Sequence, residues 1–203
     1  MKKLLGILGI ILLVAIAAGT AGLLRQQRQM RNCLIRLHVE AASDDVRDQS
    51  LKLEVRDAVM EVLAETMENV TDVHQAEQYL RGQLPNIQQV AQDTLNAGGC
   101  GDSVKVSLGE AYFDTRHYDT FSLPAGFYHA LRITIGQGTG KNWWCVVYPN
   151  FCMPGIEEDF AQQAVAAGFS DSLTGALKGE QRYEIRFFLL DLLGKLNGFL
   201  RKG

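Results

Sequence analysis

Two strand-like segments on either side of a glycine-rich stretch constrain the fold of this chain more than any other feature. Residues 127–135 and 143–148 are rich in β-branched and aromatic side chains, as β-strands are. Between them, Gly136, Gly138 and Gly140 can take positive φ without strain. The pattern predicts a β-hairpin closed by a flexible, glycine-rich turn.

Two adjacent tryptophans, Trp143 and Trp144, begin the second of these strands. Side chains alternate between the two faces of a strand, so the two indoles point to opposite faces. We expect one indole to pack in the core and the other to lie at the surface or under a partner.

The same glycines do not form a phosphate-binding loop. That motif needs a glycine five residues before its Gly-Lys pair, where this chain has Ile135, and a serine or threonine after the lysine, where it has Asn142. We therefore expect no nucleotide, and nothing else in the sequence indicates a cofactor or a small-molecule substrate. The formal net charge of −3 also argues against a nucleic-acid-binding surface.

The N-terminus has the features of an export signal, of one of two kinds. Residues 1–24 begin with two lysines and continue as an uncharged apolar run, long enough to cross a bilayer as a helix. Small residues around Ala18 also suit the cut site of a signal peptide. Both interpretations predict an extracytoplasmic domain over residues 32–203, joined through a polar stem at residues 25–31.

The chain has four cysteines, and an exported domain can form disulfides. Cys145 and Cys152 are the favoured pair, because they flank a tight turn around Pro149. Closing this loop would stabilise the fold by roughly 2–3 kcal/mol if the bridge is unstrained. Cys33 and Cys100 have no local partner. We expect no metal site, because there is no CxxC pair and the four histidines are scattered.

The first half of the predicted domain consists of a strand and two helices. Residues 32–39 alternate like a strand, with Ile35 facing the core and His38 on the solvated face. A helix capped by Ser43 or Asp44 follows, to about residue 68. A second helix, capped by Thr71 or Asp72, is expected to break at Pro85.

The second half adds strands and a last helix. Residues 104–108 form a half-buried strand, residues 169–179 a loop, and residues 181–200 a C-terminal helix. The fold class is therefore α+β. We expect a single domain with a mainly antiparallel sheet, helices packed on one side of it, and the N-terminal apolar helix before it.

The sequence contains none of the common catalytic motifs GxSxG, HExxH and DxDxDG. We therefore expect a protein that is not an enzyme. One alternative is a cell-envelope hydrolase with Cys145 as its nucleophile, which requires a free thiol of low pKa. Another is a structural envelope protein held by its anchor.

Several segments, taken in order, resemble stage II sporulation protein R. They are residues 34–44, 48–52, 55–59, 104–109, 123–128 and 136–149, followed by Cys152. The run from Gly140 to Cys145, GKNWWC, is the most specific of them. The resemblance covers residues 34–152, with Ala42 where that family tends to have asparagine, and it is weak over residues 153–203.

This resemblance implies a signalling protein of endospore formation. In that family the protein is made in the forespore and exported into the space between the forespore and mother-cell membranes. There it activates a membrane-embedded aspartic protease, which processes the precursor of the mother-cell sigma-E factor. The protease carries the chemistry and the exported protein is its activator.

The glycine-rich turn and the outward tryptophan are the candidate docking surface for that protease. Tryptophan and arginine contribute most of the energy in many interfaces. We select Arg132, Lys141, Asn142, Trp143 and Trp144 as candidate partner-binding residues. The alternative is that both tryptophans serve only the core and the end of the hairpin.

Overall fold

Strand β1 (Ile35–Glu40) lies in the interior of a four-stranded sheet. The computed structural model describes residues 2–67, 70–118, 120–149, 160–180 and 184–202. The other strands are β2 (Val104–Phe113), β3 (Arg116–His117), β4 (Ser122–Leu123), β5 (Gly126–Ile135) and β6 (Asn142–Tyr148). The order of the four-stranded sheet is β2-β5-β1-β6. The helices are α1 (Lys2–Cys33), α2 (Val46–Met67), α3 (Val73–Ala97), α4 (Phe160–Ala166), α5 (Asp171–Leu177) and α6 (Glu184–Lys202).

The predicted strands β5 and β6 form, but they do not make a hairpin, so that prediction is wrong. β1 lies between them, parallel to β5 and antiparallel to β6. Crossing one intervening strand means spanning about 10 Å, which the six residues 136–141 can do and a tight two-residue turn cannot. The sheet is therefore mixed, with two antiparallel pairings and one parallel pairing.

The α+β class is confirmed, but helices cover both faces of the sheet instead of one. Ile35, Leu37 and Val39 of β1 belong to a first core that lies under α2 and α3. Leu34 lies in a second core, on the opposite face, with side chains from α1, α4, α5 and α6. Because β1 is covered on both sides, His38 is 4% exposed, and the prediction that it is solvated is wrong.

Helix α3 begins at the predicted cap and continues through the predicted break. The Asp72 carboxylate accepts hydrogen bonds from the backbone N–H groups of His74 and Gln75, so this cap is confirmed. Pro85 lies inside one continuous helix, and the prediction of two pieces is wrong. A proline inside a helix costs about 3 kcal/mol. Burying Leu80, Ile87 and Leu95 at about 1.5–3 kcal/mol each outweighs that cost. Ala76 and Ala91 are buried on the same face and add smaller amounts.

The C-terminal third is more helical than its sequence suggests. The predicted C-terminal helix is present as α6, but the predicted loop at residues 169–179 contains α5. Ser170 caps α5, and Leu173 and Leu177 are buried in the second core. Tertiary packing therefore stabilises a helix too short to be stable alone.

Helix α1 includes both the apolar run and the predicted stem. Its last turns pack on the domain, since Met30 is buried in the second core. Among the residues that the structure describes, no helix meets the length and hydropathy needed for a membrane span. Many side chains of residues 2–20 lie outside the described set. Whether residues 1–24 act as an anchor or as a signal peptide stays a prediction.

Candidate partner-binding site

Two rows of side chains cross all four strands on one face of the sheet. We call these eight residues the cross-strand face. One row is Ser107, Arg132, His38 and Trp144, and the next is Lys105, Thr134, Glu40 and Asn142. Lys105, Ser107, Arg132 and Asn142 are exposed, whereas His38 is buried. The helices that cover this side of the sheet therefore leave these two rows partly open.

Three of the predicted binding residues, Arg132, Asn142 and Trp144, come together on the cross-strand face. Arg132 and Trp144 flank His38, one from each neighbouring strand. Asn142 lies opposite Glu40 in the adjacent row. The predicted hairpin also placed these residues near each other. In the structure they are close because β1 lies between β5 and β6 and pairs with both.

Trp144 is packed between other side chains and is not a free indole. Its ring stacks on His38 with centroids 3.6 Å apart, and Phe113 meets it edge-on at 4.9 Å. The guanidinium of Arg116 lies 4.7 Å from the ring centroid, within cation–π distance. The indole is thus half-buried and rigidly oriented, which lowers the entropy cost of using it in an interface.

Burial, followed by the charge of Arg132, lowers the pKa of His38 from 6.5 to about 3. His38 is therefore neutral at physiological pH, so the cation beside Trp144 is Arg116 and not this ring. The nearest acid is Glu40, whose carboxylate lies 3.5 Å from His38 Nδ1 and 4.0 Å from Arg132 Nε. Glu40 also accepts a hydrogen bond of 2.5 Å from the Thr134 hydroxyl.

Positive charge predominates around the cross-strand face. Lys105 and Arg132 are cationic and exposed, and Arg116 lies against Trp144. Glu40 is the one acidic residue among the eight. A surface with exposed cations and an oriented indole suits a partner that presents carboxylates and apolar side chains.

A buried arginine lies in the next row of the same face. Arg36 is fully buried, 3.9 Å from the Phe113 ring centroid and 5.0 Å from that of Tyr128. Its Nη2 donates a hydrogen bond of 3.0 Å to the Tyr118 hydroxyl. Its Nε and Nη1 have no hydrogen-bond partner in the structure as described. The aromatic rings therefore provide much of the stabilisation that a carboxylate gives a buried arginine elsewhere.

The other two predicted residues, Trp143 and Lys141, lie elsewhere. Trp143 is on the opposite face of the sheet, where it packs on the first core with the Arg56 guanidinium 5.0 Å from its ring centroid. The two tryptophans thus point to opposite faces, as predicted. The expectation of one internal and one external indole is wrong, since each is half-buried against a different core.

The glycine-rich stretch is fastened to the end of β1 and the start of α2. The Gly140 N–H donates to the Ala41 carbonyl at 3.0 Å, and the Lys141 N–H donates to the Asp44 carboxylate at 2.6 Å. The buried Lys52 ammonium donates to the Lys141 carbonyl at 3.0 Å, and burial lowers its pKa. The backbone N–H and carbonyl groups of Lys141 therefore help to hold the glycine-rich stretch in place.

Sequence reasoning missed Arg36, His38, Glu40 and Arg116 as members of this region. The signal at Arg36 and His38 was misleading, because they alternate with apolar residues as on a solvated face, although β1 is covered on both sides. Lys52 did have a signal, since it lies within one of the segments that resemble a known family. Only the structure shows that it holds the glycine-rich stretch.

The predicted pairing of Cys145 with Cys152 stays a prediction, because Cys152 lies outside the described residues. Cys145 is buried in the first core. Cys33 and Cys100 are free thiols, and burial raises the pKa of Cys33. No group of three metal-ligating side chains occurs within the residues that the structure describes.

The fold and this surface define the class: an α+β protein whose mixed sheet leaves a partly open face with cationic and aromatic side chains. The family model for stage II sporulation protein R matches residues 31–158, so the chain belongs to that family. It is also similar to stage II sporulation protein R of Bacillus subtilis (strain 168), with 38% identity over 118 residues.

That alignment covers 58% of this chain and 53% of the Bacillus protein, so the chain spans about half the length of this relative. No solved structure matches the chain. All eight residues of the cross-strand face fall within the part that the family model matches.

Proposed function

We propose that this protein is an exported sporulation signal, which activates the membrane-embedded aspartic protease that processes the sigma-E precursor in the mother cell. It would thereby couple gene expression in the forespore to that in the mother cell. Membership of the stage II sporulation protein R family supports the sporulation role. The observation that carries the binding role is the cross-strand face, in which Arg132, Asn142 and Trp144 lie together at the surface.

Each part of the chain has its own role in this function. Residues 1–24 direct export from the forespore, as a cleaved signal peptide or as a retained membrane anchor. The domain over residues 32–203 then lies between the two membranes, where a Cys145–Cys152 bridge can form. The cross-strand face docks on the part of the protease exposed there, with carboxylates of the protease meeting Arg132 and Lys105.

A hydrolase that uses Cys145 receives no support from the geometry. A nucleophilic thiol must reach its substrate, but Cys145 is 7% exposed and packs in the first core. An activator needs no such access, because it acts through its surface.

Arg132→Gln tests the docking role against a matched control. Arg132 and Arg81 are both exposed, and each has a glutamate nearby, Glu40 or Glu77. Arg81 lies on α3, away from the cross-strand face. Each variant is expressed in the forespore of a spore-forming host that lacks its own copy, and processing of the sigma-E precursor is followed by immunoblot.

We expect Arg132→Gln to slow processing by about tenfold, equivalent to about 1.4 kcal/mol of binding, and Arg81→Gln to leave it unchanged. Trp144→Phe should act in the same direction, because it keeps a ring on His38 but removes the indole edge. Normal processing in both face variants, at wild-type protein level, would contradict the docking surface. Normal processing without any of this protein would contradict the function itself.

A further inference from the structure

Helix α6 presents a row of large apolar side chains to solvent along its whole length. Ile185 is 77% exposed and Phe199 is 79% exposed. Between them, Phe188, Leu192 and Leu196 are exposed on the same stripe, at spacings of three and four residues. An exposed apolar stripe of this size marks a site of interaction with another surface.

The glycines of α6 fix this orientation. A Cβ atom on Gly194 would lie 1.6 Å from the Ala125 carbonyl oxygen, and one on Gly198 would lie 2.2 Å from the Tyr112 ring. The Asp191 carboxylate accepts a hydrogen bond of 2.8 Å from the Ala125 N–H. The helix cannot turn its apolar stripe inward without losing these close contacts, so the stripe is a permanent part of the surface.

Basic residues surround this surface where α6 meets α1. Residues 25–31 of α1 include three arginines and no acidic residue, although the chain as a whole has a formal net charge of −3. One of them, Arg31, is paired with Glu110 at 3.2 Å. Arg25 and Arg28 are exposed, and neither forms an ion pair with another described residue. Lys195 and Arg201 of α6 are exposed as well, but each is ion-paired, Lys195 with Asp191 at 2.7 Å and Arg201 with Glu110 at 2.8 Å.

A cavity of about 290 Å³ opens between these helices. Arg28 and Arg31 of α1 line it, together with Asn197 of α6 and Leu24, which is 48% exposed. The cavity therefore has cationic and amide donors on its wall and an apolar side chain at its edge. A lipid phosphate with its acyl chains is complementary to this combination, because it presents anionic acceptors beside apolar chains.

We propose that α6 lies in the surface of a bilayer with anionic headgroups. Its apolar stripe enters the boundary between headgroups and acyl chains, and Arg25 and Arg28 of α1 contact the phosphates. This contact does not depend on the proposed function, because α6 lies beyond residues 31–158, the part that the family model matches. It is also separate from the fate of residues 1–24, because α6 lies along the bilayer and does not cross it.

Site-specific labelling of the full chain tests this proposal, because each label reports on the surroundings of α6 and not on the membrane binding of residues 1–24. Cys33 and Cys100 are replaced by serine, and an environment-sensitive fluorophore is attached to Leu192→Cys or Phe199→Cys. Gln89→Cys, on the exposed side of α3, is the control position. The protein is reconstituted into vesicles of equimolar phosphatidylglycerol and phosphatidylcholine, or of phosphatidylcholine alone, and quenched with aqueous iodide.

In the anionic vesicles we expect the labels at positions 192 and 199 to lose most of their iodide quenching, while the label at position 89 stays accessible. Arg25→Gln with Arg28→Gln, or the neutral vesicles, should restore quenching on α6. Equal accessibility at positions 89, 192 and 199 in anionic vesicles overturns the proposal. Shielding that is the same in neutral vesicles and rises with protein density also overturns it, and assigns the stripe to a second copy of the chain.

Discussion

The imidazole of His38 and the indole of Trp144 stack with their ring centroids 3.6 Å apart and their planes within 13° of parallel. They come from neighbouring antiparallel strands, β1 and β6, at directly opposed positions. The stack connects β1, an interior strand of the sheet, to Trp144 on the cross-strand face. The position of Trp144, and thus the shape of the proposed docking surface, therefore depends on a buried neutral histidine.

Stability should fall in acid because of His38. Its pKa in the folded protein is about 3, against 6.5 for an ordinary histidine, so below pH 6.5 the unfolded chain binds a proton that the folded protein does not. The contribution of the neutral ring is complete above about pH 6.5 and is lost between that value and about pH 3. The slope approaches about 1.4 kcal/mol per pH unit for this one group.

Urea unfolding at a series of pH values measures this slope. His38→Phe keeps an aromatic ring against Trp144 but cannot bind the proton. We expect the variant to have a shallower decrease in the free energy of unfolding than the wild type between about pH 6.5 and pH 4.5. Parallel curves for the two proteins would show that His38 is not the titrating group.

Gly140→Ala should destabilise the fold, because a Cβ atom at this position would lie 2.1 Å from the Ser43 carbonyl oxygen. The clash is with backbone, so relieving it moves the glycine-rich stretch away from β1 and α2. We expect a loss of about 2–3 kcal/mol in the free energy of unfolding. Gly101→Ala is the control, since nothing lies within 4 Å of its added Cβ, and it should change stability by less than about 0.5 kcal/mol.

Local pattern predicted most elements of this fold, and non-local pairing accounts for the main errors. Strands β5 and β6 and the cap at Asp72 have clear local signals. The insertion of β1 between β5 and β6 has none, because it depends on two contacts that are distant in sequence. A glycine-rich connection is compatible with a hairpin and with a crossover over one strand.

The candidate site could be predicted only in part, because contacts distant in sequence also position its buried residues. Exposed, chemically distinctive residues such as Arg132 and Trp144 can be selected from sequence, and they do share one face. The buried residues that orient them cannot. Arg36 and His38 suggested a solvated strand face, because polar residues usually lie outside, and their burial follows only from cover on both faces of β1.

Asp72→Ala should lower the stability of α3 and of the whole domain. The Asp72 carboxylate accepts from two backbone N–H groups that have no partner within the helix. We expect a loss of about 1 kcal/mol in the free energy of unfolding, measured with urea. Asp72→Asn keeps an oxygen acceptor at the cap, so it should lose much less. An equal loss in both variants would assign the effect to the negative charge near the helix dipole.

The buried cation of Arg36 should be replaceable without loss of the fold. Its guanidinium is fully buried against aromatic rings, and two of its nitrogens lack a hydrogen-bond partner among the described residues. Arg36→Met keeps most of the volume and removes the desolvation penalty, so we expect a change of at most about 1 kcal/mol in the free energy of unfolding. Arg36→Ala leaves a cavity between Phe113 and Tyr128 and should cost about 3 kcal/mol or more.

Urea unfolding of the two variants separates packing from charge. If Arg36→Met is as unstable as Arg36→Ala, the interactions of the guanidinium with Tyr118 and the rings outweigh its desolvation, and the charge itself stabilises the core. If Arg36→Met is stable but fails to support processing of the sigma-E precursor, the charge serves the cross-strand face instead. It would then act through the aromatic cluster beneath Trp144, because Arg36 itself does not reach the surface.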